Sequence, residues 1–472
     1  MVDQIKQLTL QEVLDSTTTT EQWKEFLHNV NDNKKRKNAL KMLDKLDSCK
    51  DFERISEEWL CNVLSTHDYT LLKTISSLLE LCNITRELLQ RNIKPLFNYL
   101  DGLLTILLDE EQSRLMFTDF VTFNNVSTLC VKVLLQIIQY LCQSFLHQLS
   151  SSSSDGDYKE LMRKFLLVFT SKSFSKDCCL LGGTALALLY NQWPYDEHLA
   201  DHIEEQINIL FGIGCQTNLK EQTNLIPLQL PSHISSPYSH LAFAIGLLNS
   251  APLLLFKQTS MKRYLFHILF DYIIAQCSMA TTDAAVKYLS FQALTYCMDF
   301  ILLTGVDKVS LLLGTQLFID DTSKYTNQIM QLVYKHVEDL VDGIPGFVKK
   351  TFNSLLKIHS SETSGFTQNR EFLLTLSEKI LEQSWQVKGK WILLSQLLSF
   401  VGYEKVFLMK PNLGYEMMQA MNTCGLPSIV NDVYKNILLN IRSRCVSDED
   451  AMKEYLRYCA PIIKQSLCNS KL

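Results

Sequence analysis

Two histidines four residues apart, His198 and His202, stand with Asp201, Glu204 and Glu205 where one helix face would present two imidazoles to a metal. The glutamate of H-E-x-x-H is missing and two ligands do not complete a site, so a charged surface helix explains the same residues. Leu181-Gly182-Gly183-Thr184 and Gly212-Ile213-Gly214 are the glycine pairs that suggest phosphate cradling. Neither continues into G-K-[ST] or G-x-G-x-x-G, and helix packing or capping accounts for both. No strand with a following glycine-rich turn is visible, so no cofactor-binding Rossmann unit is expected. Strands, metal motifs and nucleophile elbows are all missing from the pattern, which points away from an enzyme.

Two basic clusters remain. Lys388-Gly389-Lys390 is placed just before a helix whose apolar face is Trp391, Leu394, Leu398 and Val401, so two cations stand at the positive end of a helix dipole. The placement becomes favourable if an anion such as an RNA phosphate docks on the N–H groups there, with Gly389 allowing close approach. In the other reading the lysines cap a neighbouring helix's C-terminus or are solvated while Trp385 and Trp391 pack. The run Lys34-Lys35-Arg36-Lys37, extended by Lys41 and Lys45, sits on a helix with Leu40, Leu43 and Leu46 as its buried stripe. Phosphate contact and nuclear import are its functional readings, and a solvated charged face is the alternative. The net charge of −5 favours the last, and it confines any RNA contact to local patches.

Helical spacing positions these residues. Trp23, Phe26, Leu27 and Val30 form an i, i+3, i+4, i+7 set behind a Thr19/Gln22 capping pair. Ile55, Trp59, Leu60 and Val63 follow, then Leu71, Leu72, Ile75, Leu78 and Leu79, then Leu134, Ile137, Ile138, Leu141 and Phe145 before the polar loop 150–156. The stretch 217–239, with Pro227, Pro231 and Pro237, is predicted to be an irregular insertion between helical segments 1–216 and 240–472. Leu241 to Phe256 reads as a buried helix, a break at Asn249 to Pro252, and another helix, and it is too short to span a bilayer. Tyr288 to Leu303, despite Gln292 and Asp299, reads as a core helix.

Ile329, Leu332, Val333, His336, Val337 and Leu340 line one helix face, and Val348, Phe352, Leu355 and Leu356 the next, with a turn at Gly343 to Gly346. Asp339 closes the first helix and Val348-Lys349-Lys350 opens the second, the pattern of a HEAT-type hairpin. The fold expected is therefore all-α, a HEAT/armadillo-like α-solenoid of antiparallel helical hairpins. Composition agrees, since 472 residues exceed one core, hydrophobic residues make 47%, and only 16 glycines and 10 prolines are available for turns. The 14 cysteines are scattered without a C-x-x-C, as reduced core residues of a cytosolic protein would be. Met1 to Leu14 lacks the apolar core of a secretory signal.

The segment 335–438 resembles the thyroid adenoma-associated protein family, regulatory subunits of a tRNA ribose 2′-O-methyltransferase. The resemblance is carried by Gly346-Phe347-Val348-Lys349-Lys350-Thr351-Phe352-Asn353-Ser354-Leu355-Leu356-Lys357-Ile358-His359. Above all it is carried by Trp385-Gln386-Val387-Lys388-Gly389-Lys390-Trp391, similar to the family's W-x-x-K-G-K-aromatic run. An apolar helix and a G-x-E turn, Gly402-Tyr403-Glu404, come after it, as do Gln419, Met421 and a helix around Val433 to Leu439. The resemblance implies a non-catalytic scaffold that helps an FtsJ-type methyltransferase modify position 32 in the tRNA anticodon loop, with the methyl donor bound by that partner. It also implies a second partner class, the calcium pump of the endoplasmic reticulum, for which the chain would be an adaptor without an RNA role. Family members are much longer, so the sequence is similar to an N-terminal fragment or a shortened member.

Overall fold

The computed structural model describes residues 72, 76, 93–117, 119–141, 164, 175–192, 237–250, 252–256, 258, 264–279, 283–305, 308–310, 324–360 and 367–469. Lys34 to Lys37, His198, His202, Gly212 to Gly214, the loop 150–156, the stretch 217–236 and, apart from Leu72 and Ser76, the helices expected before residue 80 lie outside them. Sixteen α-helices and one 3-10 turn make up the described chain, with no strand beyond an isolated bridge between Gln258 and Tyr264. None of the described helices is long and apolar enough to cross a membrane. The fold is an all-α solenoid of stacked helices, and the chain forms two compact units, Met1–Leu254 and Leu255–Leu472.

The first unit contains α1 (Ile93–Leu108), α2 (Glu110–Met116), α3 (Phe120–Leu141), α4 (Lys176–Gln192) and α5 (Pro237–Ser250). On α1, Leu100, Leu103, Leu104 and Leu107 are buried at i, i+3, i+4, i+7, the stripe that a helix turns toward a core. The Asp109 carboxylate starts α2 by accepting from the N–H groups of Glu111 and Gln112 at 2.9 and 3.0 Å. Helices α4 and α5 come close because small residues line their contact. A Cβ on Gly183 would stand 2.5 Å from the carbonyl carbon of Ala242, and one on Gly246 2.8 Å from the Gly183 oxygen. Gly183 and Gly246 therefore serve helix packing, offsetting the roughly 1 kcal/mol that a mid-helix glycine costs. Helix α5 stops at Ser250 and Pro252–Phe256 makes a 3-10 turn, the break expected where proline removes an N–H.

The second unit runs through α6 (Leu265–Ser278), α7 (Ala284–Thr304), α8 (Lys324–His336), α9 (Ile344–Ser360), α10 (Thr367–Glu382) and α11 (Lys388–Val401). It continues with α12 (Tyr403–Met409), α13 (Leu413–Thr423), α14 (Pro427–Arg444), α15 (Asp448–Tyr458) and α16 (Ala460–Asn469). Packing passes from neighbour to near neighbour. Helices α7, α9, α11 and α14 touch in succession as one row, while α6, α8 and α10 each pack against the row member that follows them. Because each hairpin buries its apolar face only against adjacent hairpins, the result is a layered stack. Helix α7 is the expected core helix, capped by Asp283 at its start and by Gly305 (φ 92°) at its end. Its Asp299 lies at the surface, where it accepts a 3.3 Å hydrogen bond from the Ser354 hydroxyl.

The α8–α9 hairpin departs from the sequence reading in one respect. Helix α8 ends at His336, and Leu340, placed by periodicity on its apolar face, is fully exposed in the turn. Asp339 ends the helix there. Its carboxylate accepts from the Val341 N–H at 3.0 Å, from the His336 Nδ1 at 2.7 Å and from the Lys287 ammonium of α7, which draws the backbone out of helical geometry.

Candidate functional site

Helix α11 begins at Lys388, so Lys388-Gly389-Lys390 forms its first turn instead of preceding it. The N-cap residue Val387 offers no side-chain acceptor, and the first-turn N–H groups need partners from elsewhere. Gly389 finds one in the carboxylate of Glu338, on the turn between α8 and α9. A Cβ at Gly389 would lie 2.8 Å from Val337 Cγ1 and 3.0 Å from that carboxylate, so glycine is what lets the turn seat on the helix end. The anion that the helix dipole attracts is thus supplied by the chain itself.

Lys390 points inward and is 0% exposed. Its ammonium donates to the carbonyls of Leu381 and Gln383 at 3.0 and 2.7 Å and to Glu416 Oε2 at 2.7 Å. Leu381 and Gln383 are at the C-terminal end of α10, whose last carbonyls lack intrahelical donors, and Lys390 satisfies them. Glu416, in the first turn of α13, is held on its other oxygen by Lys410 at 3.1 Å. Burial pulls the Lys390 pKa down and the Glu416 carboxylate opposes that shift. All three ammonium protons have acceptors, as a buried charge requires.

The two tryptophans hold the same turn. Trp391 is completely buried, its indole N–H donates to the Trp385 carbonyl at 2.9 Å, and the Lys390 ammonium stands 5.4 Å from its ring centre. Trp385 is half-buried and Lys388 is exposed. An RNA-phosphate contact therefore does not fit Lys390 or the Gly389 N–H, because both are committed to carboxylates and carbonyls inside the fold. Lys388 is the member of the trio that faces outward. Glu338 and Glu416 carry this latch yet escaped the sequence reading, since they lie 51 and 26 residues from their partners and no spacing rule links them.

A second buried polar cluster joins α7, α8 and the turn after it. His336 is buried with its ring edge-on to Phe291 at 4.9 Å, and among the described residues its Nε2 has no hydrogen-bond partner. Burial lowers the His336 pKa, against the opposing pull of Asp339. Burial would raise Asp339, but Lys287, the Val341 N–H and His336 together bring it down to about 2. Among the described residues no group of three or more His, Cys, Asp or Glu is arranged to hold a metal ion.

No family model matches the sequence. It is similar to proteins named tRNA (32-2'-O)-methyltransferase regulator THADA. The one from Gallus gallus is 24% identical over 123 residues, 26% of this chain and 6% of its own length. The one from Homo sapiens is 24% identical over 131 residues, 27% of this chain and 7% of its own length. The one from Mus musculus is 23% identical over 164 residues, 34% of this chain and 8% of its own length. The chain thus spans about 6–8% of the length of the curated relatives it matches, and its relationship to the thyroid adenoma-associated protein family is a partial one.

Proposed function

We propose that this chain is a non-catalytic regulatory scaffold that assists 2′-O-ribose methylation at position 32 of the tRNA anticodon loop by an FtsJ-type methyltransferase in the cytosol. The observation that carries the reading is the partial likeness to proteins bearing the name of that methyltransferase's regulator. A stack of helices supports it, because such a stack offers a long surface to large partners and has no need of a catalytic pocket. The thiols of Cys130, Cys178 and Cys277 are buried and unpaired, and burial pushes them above the ordinary thiol range, which suits structural residues in a reducing compartment. In this reading the methyl donor binds the partner. Lys388 is an outer phosphate contact, and Lys34, Lys35, Arg36 and Lys37 form a second one.

The test combines this chain with its own organism's FtsJ-type methyltransferase and an unmodified tRNA transcript, and follows both co-precipitation and methyl transfer. Stimulated transfer at position 32 is the expected result. An unchanged transfer rate together with no retention of the methyltransferase would refute the proposal.

A further inference from the structure

The row α7, α9, α11 and α14 has one side occupied by α6, α8 and α10, and its other side carries exposed residues at helical spacing. On α9 these are Lys350 and Lys357, seven residues apart, and on α14 Lys435. Side-chain links fix the register of the row. The Thr295 hydroxyl is 3.2 Å from that of Thr351, between α7 and α9, and Asn436 Nδ2 donates to the Ser395 carbonyl at 2.7 Å, between α14 and α11. None of the three lysines joins an ion pair among the described residues, whereas Lys390, Lys410 and Lys287 do. Two carboxylates, Asp299 and Asp432, share the exposed side, and Asp299 is engaged by Ser354.

At the α7–α9 step an aromatic ring stands beside this charge. Tyr288 is 37% exposed, and it is held from two directions. A Cβ on Gly343 would lie 2.7 Å from its ring, and the Phe347 ring meets it edge-on at 5.0 Å. The Lys350 ammonium is 6.0 Å from the Phe347 ring centre. A fixed, half-open aromatic ring next to cations that lack carboxylate partners is the arrangement that takes an unpaired nucleotide, its base stacked on the ring and its phosphates on the lysines.

We infer that this side of the row binds a single-stranded RNA loop, with Tyr288 stacking a base and Lys350, Lys357 and Lys435 neutralising phosphates. The inference rests on the tRNA part of the function proposed above and adds the surface that meets the tRNA.

The experiment measures binding of the full chain to an unmodified tRNA transcript by fluorescence anisotropy over a salt series, with the methyltransferase pull-down run alongside. One variant carries Lys350→Glu, Lys357→Glu and Lys435→Glu. A second, with the same change in net charge, carries Lys335→Glu, Lys379→Glu and Lys405→Glu at exposed positions of α8, α10 and α12. A third carries Tyr288→Ala, and circular dichroism checks that all three stay helical. The first variant is expected to bind at least about tenfold more weakly, with a salt dependence shallower by about three phosphate contacts. Tyr288→Ala is expected to lose roughly tenfold, and the control variant to bind as the unaltered chain does. Equal losses in the first variant and the control would overturn the surface, and so would unchanged binding in the first variant, while leaving the scaffold function intact. Loss of methyltransferase retention with tRNA binding unchanged would make the row a protein-docking surface instead. No tRNA binding by the unaltered chain, even at low salt, would overturn this inference and the RNA part of the proposed function together.

Discussion

Lys390 shows how completely position can change what a residue does. Exposed, it would be one more cation. Sealed between two carbonyls and Glu416, it joins α10, α11 and α13. Truncation would leave a buried carboxylate with only Lys410 and two carbonyls without donors, so Lys390→Ala is expected to destabilise the second unit by about 3 kcal/mol. Urea denaturation followed by circular dichroism measures this. Lys388→Ala, two residues away and exposed, is expected to change stability by no more than about 0.5 kcal/mol. Equal effects of the two substitutions would contradict the latch. In RNA assays a charge change at Lys390 is therefore expected to report on folding, and one at Lys388 to test the proposed phosphate contact.

At the scale of the element, two junctions carry separate predictions. Where α4 crosses α5, a methyl group on Gly183 meets the backbone of Ala242 and Phe243, which cannot rotate away, so Gly183→Ala is expected to cost about 1–3 kcal/mol. Gly346, in the first turn of α9, has nothing within 4 Å of its would-be Cβ, and Gly346→Ala is expected to stabilise by about 0.5–1 kcal/mol. Opposite shifts in thermal midpoint would bear this out.

The hairpin turn after α8 adds a pH dependence to the element. The fold lowers the proton affinity of His336, so the unfolded chain takes up that proton first. The corresponding stability is whole above the ordinary histidine pKa of 6.5 and is lost as pH falls below it. Asp339, held at about 2 against an ordinary 3.8, gives a further loss between about pH 4 and pH 2. Midpoints measured between pH 7.5 and 5 should fall, and His336→Leu should flatten the fall. A slope unchanged by that substitution would remove His336 as its source.

For the whole molecule, the net charge of −5 conceals local contrasts, with lysines on one side of a helix row and Asp448, Glu449 and Asp450 in the first turn of α15. Bulk charge alone would predict no affinity for RNA, and a local basic surface predicts binding that weakens steeply with salt. Each compact unit has its own buried apolar residues, among them Leu100 and Leu254 in the first and Leu255, Phe266 and Ile462 in the second. Residues 255–472 expressed alone are expected to give a helical spectrum and a cooperative thermal transition that Lys390→Ala lowers. A broad transition without cooperativity would show that the second unit depends on the first.

The sequence by itself determined the all-α class, the hairpin at Asp339 and the break before Pro252, and it narrowed Gly183 to helix packing or capping. Each of these follows from local chemistry, whether 3.6-residue periodicity, a missing proline N–H or a missing Cβ, and local chemistry is written in order along the chain. Leu340 marks the limit of that legibility, because 3.6-residue periodicity carried the apolar face past Asp339, whereas the helix ends at His336 and the contacts of the Asp339 carboxylate turn Leu340 out to solvent. For the K-G-K turn the sequence left two readings standing, an anion from outside or a cap from within. Tertiary structure brings Glu338 and Glu416 to the turn from distant elements, so the Gly389 N–H and the buried Lys390 ammonium find their acceptors inside the fold, while Lys388 stays exposed. The surface inferred to meet RNA was likewise unreadable beforehand, since which lysines lie open depends on which side of each helix its neighbours cover.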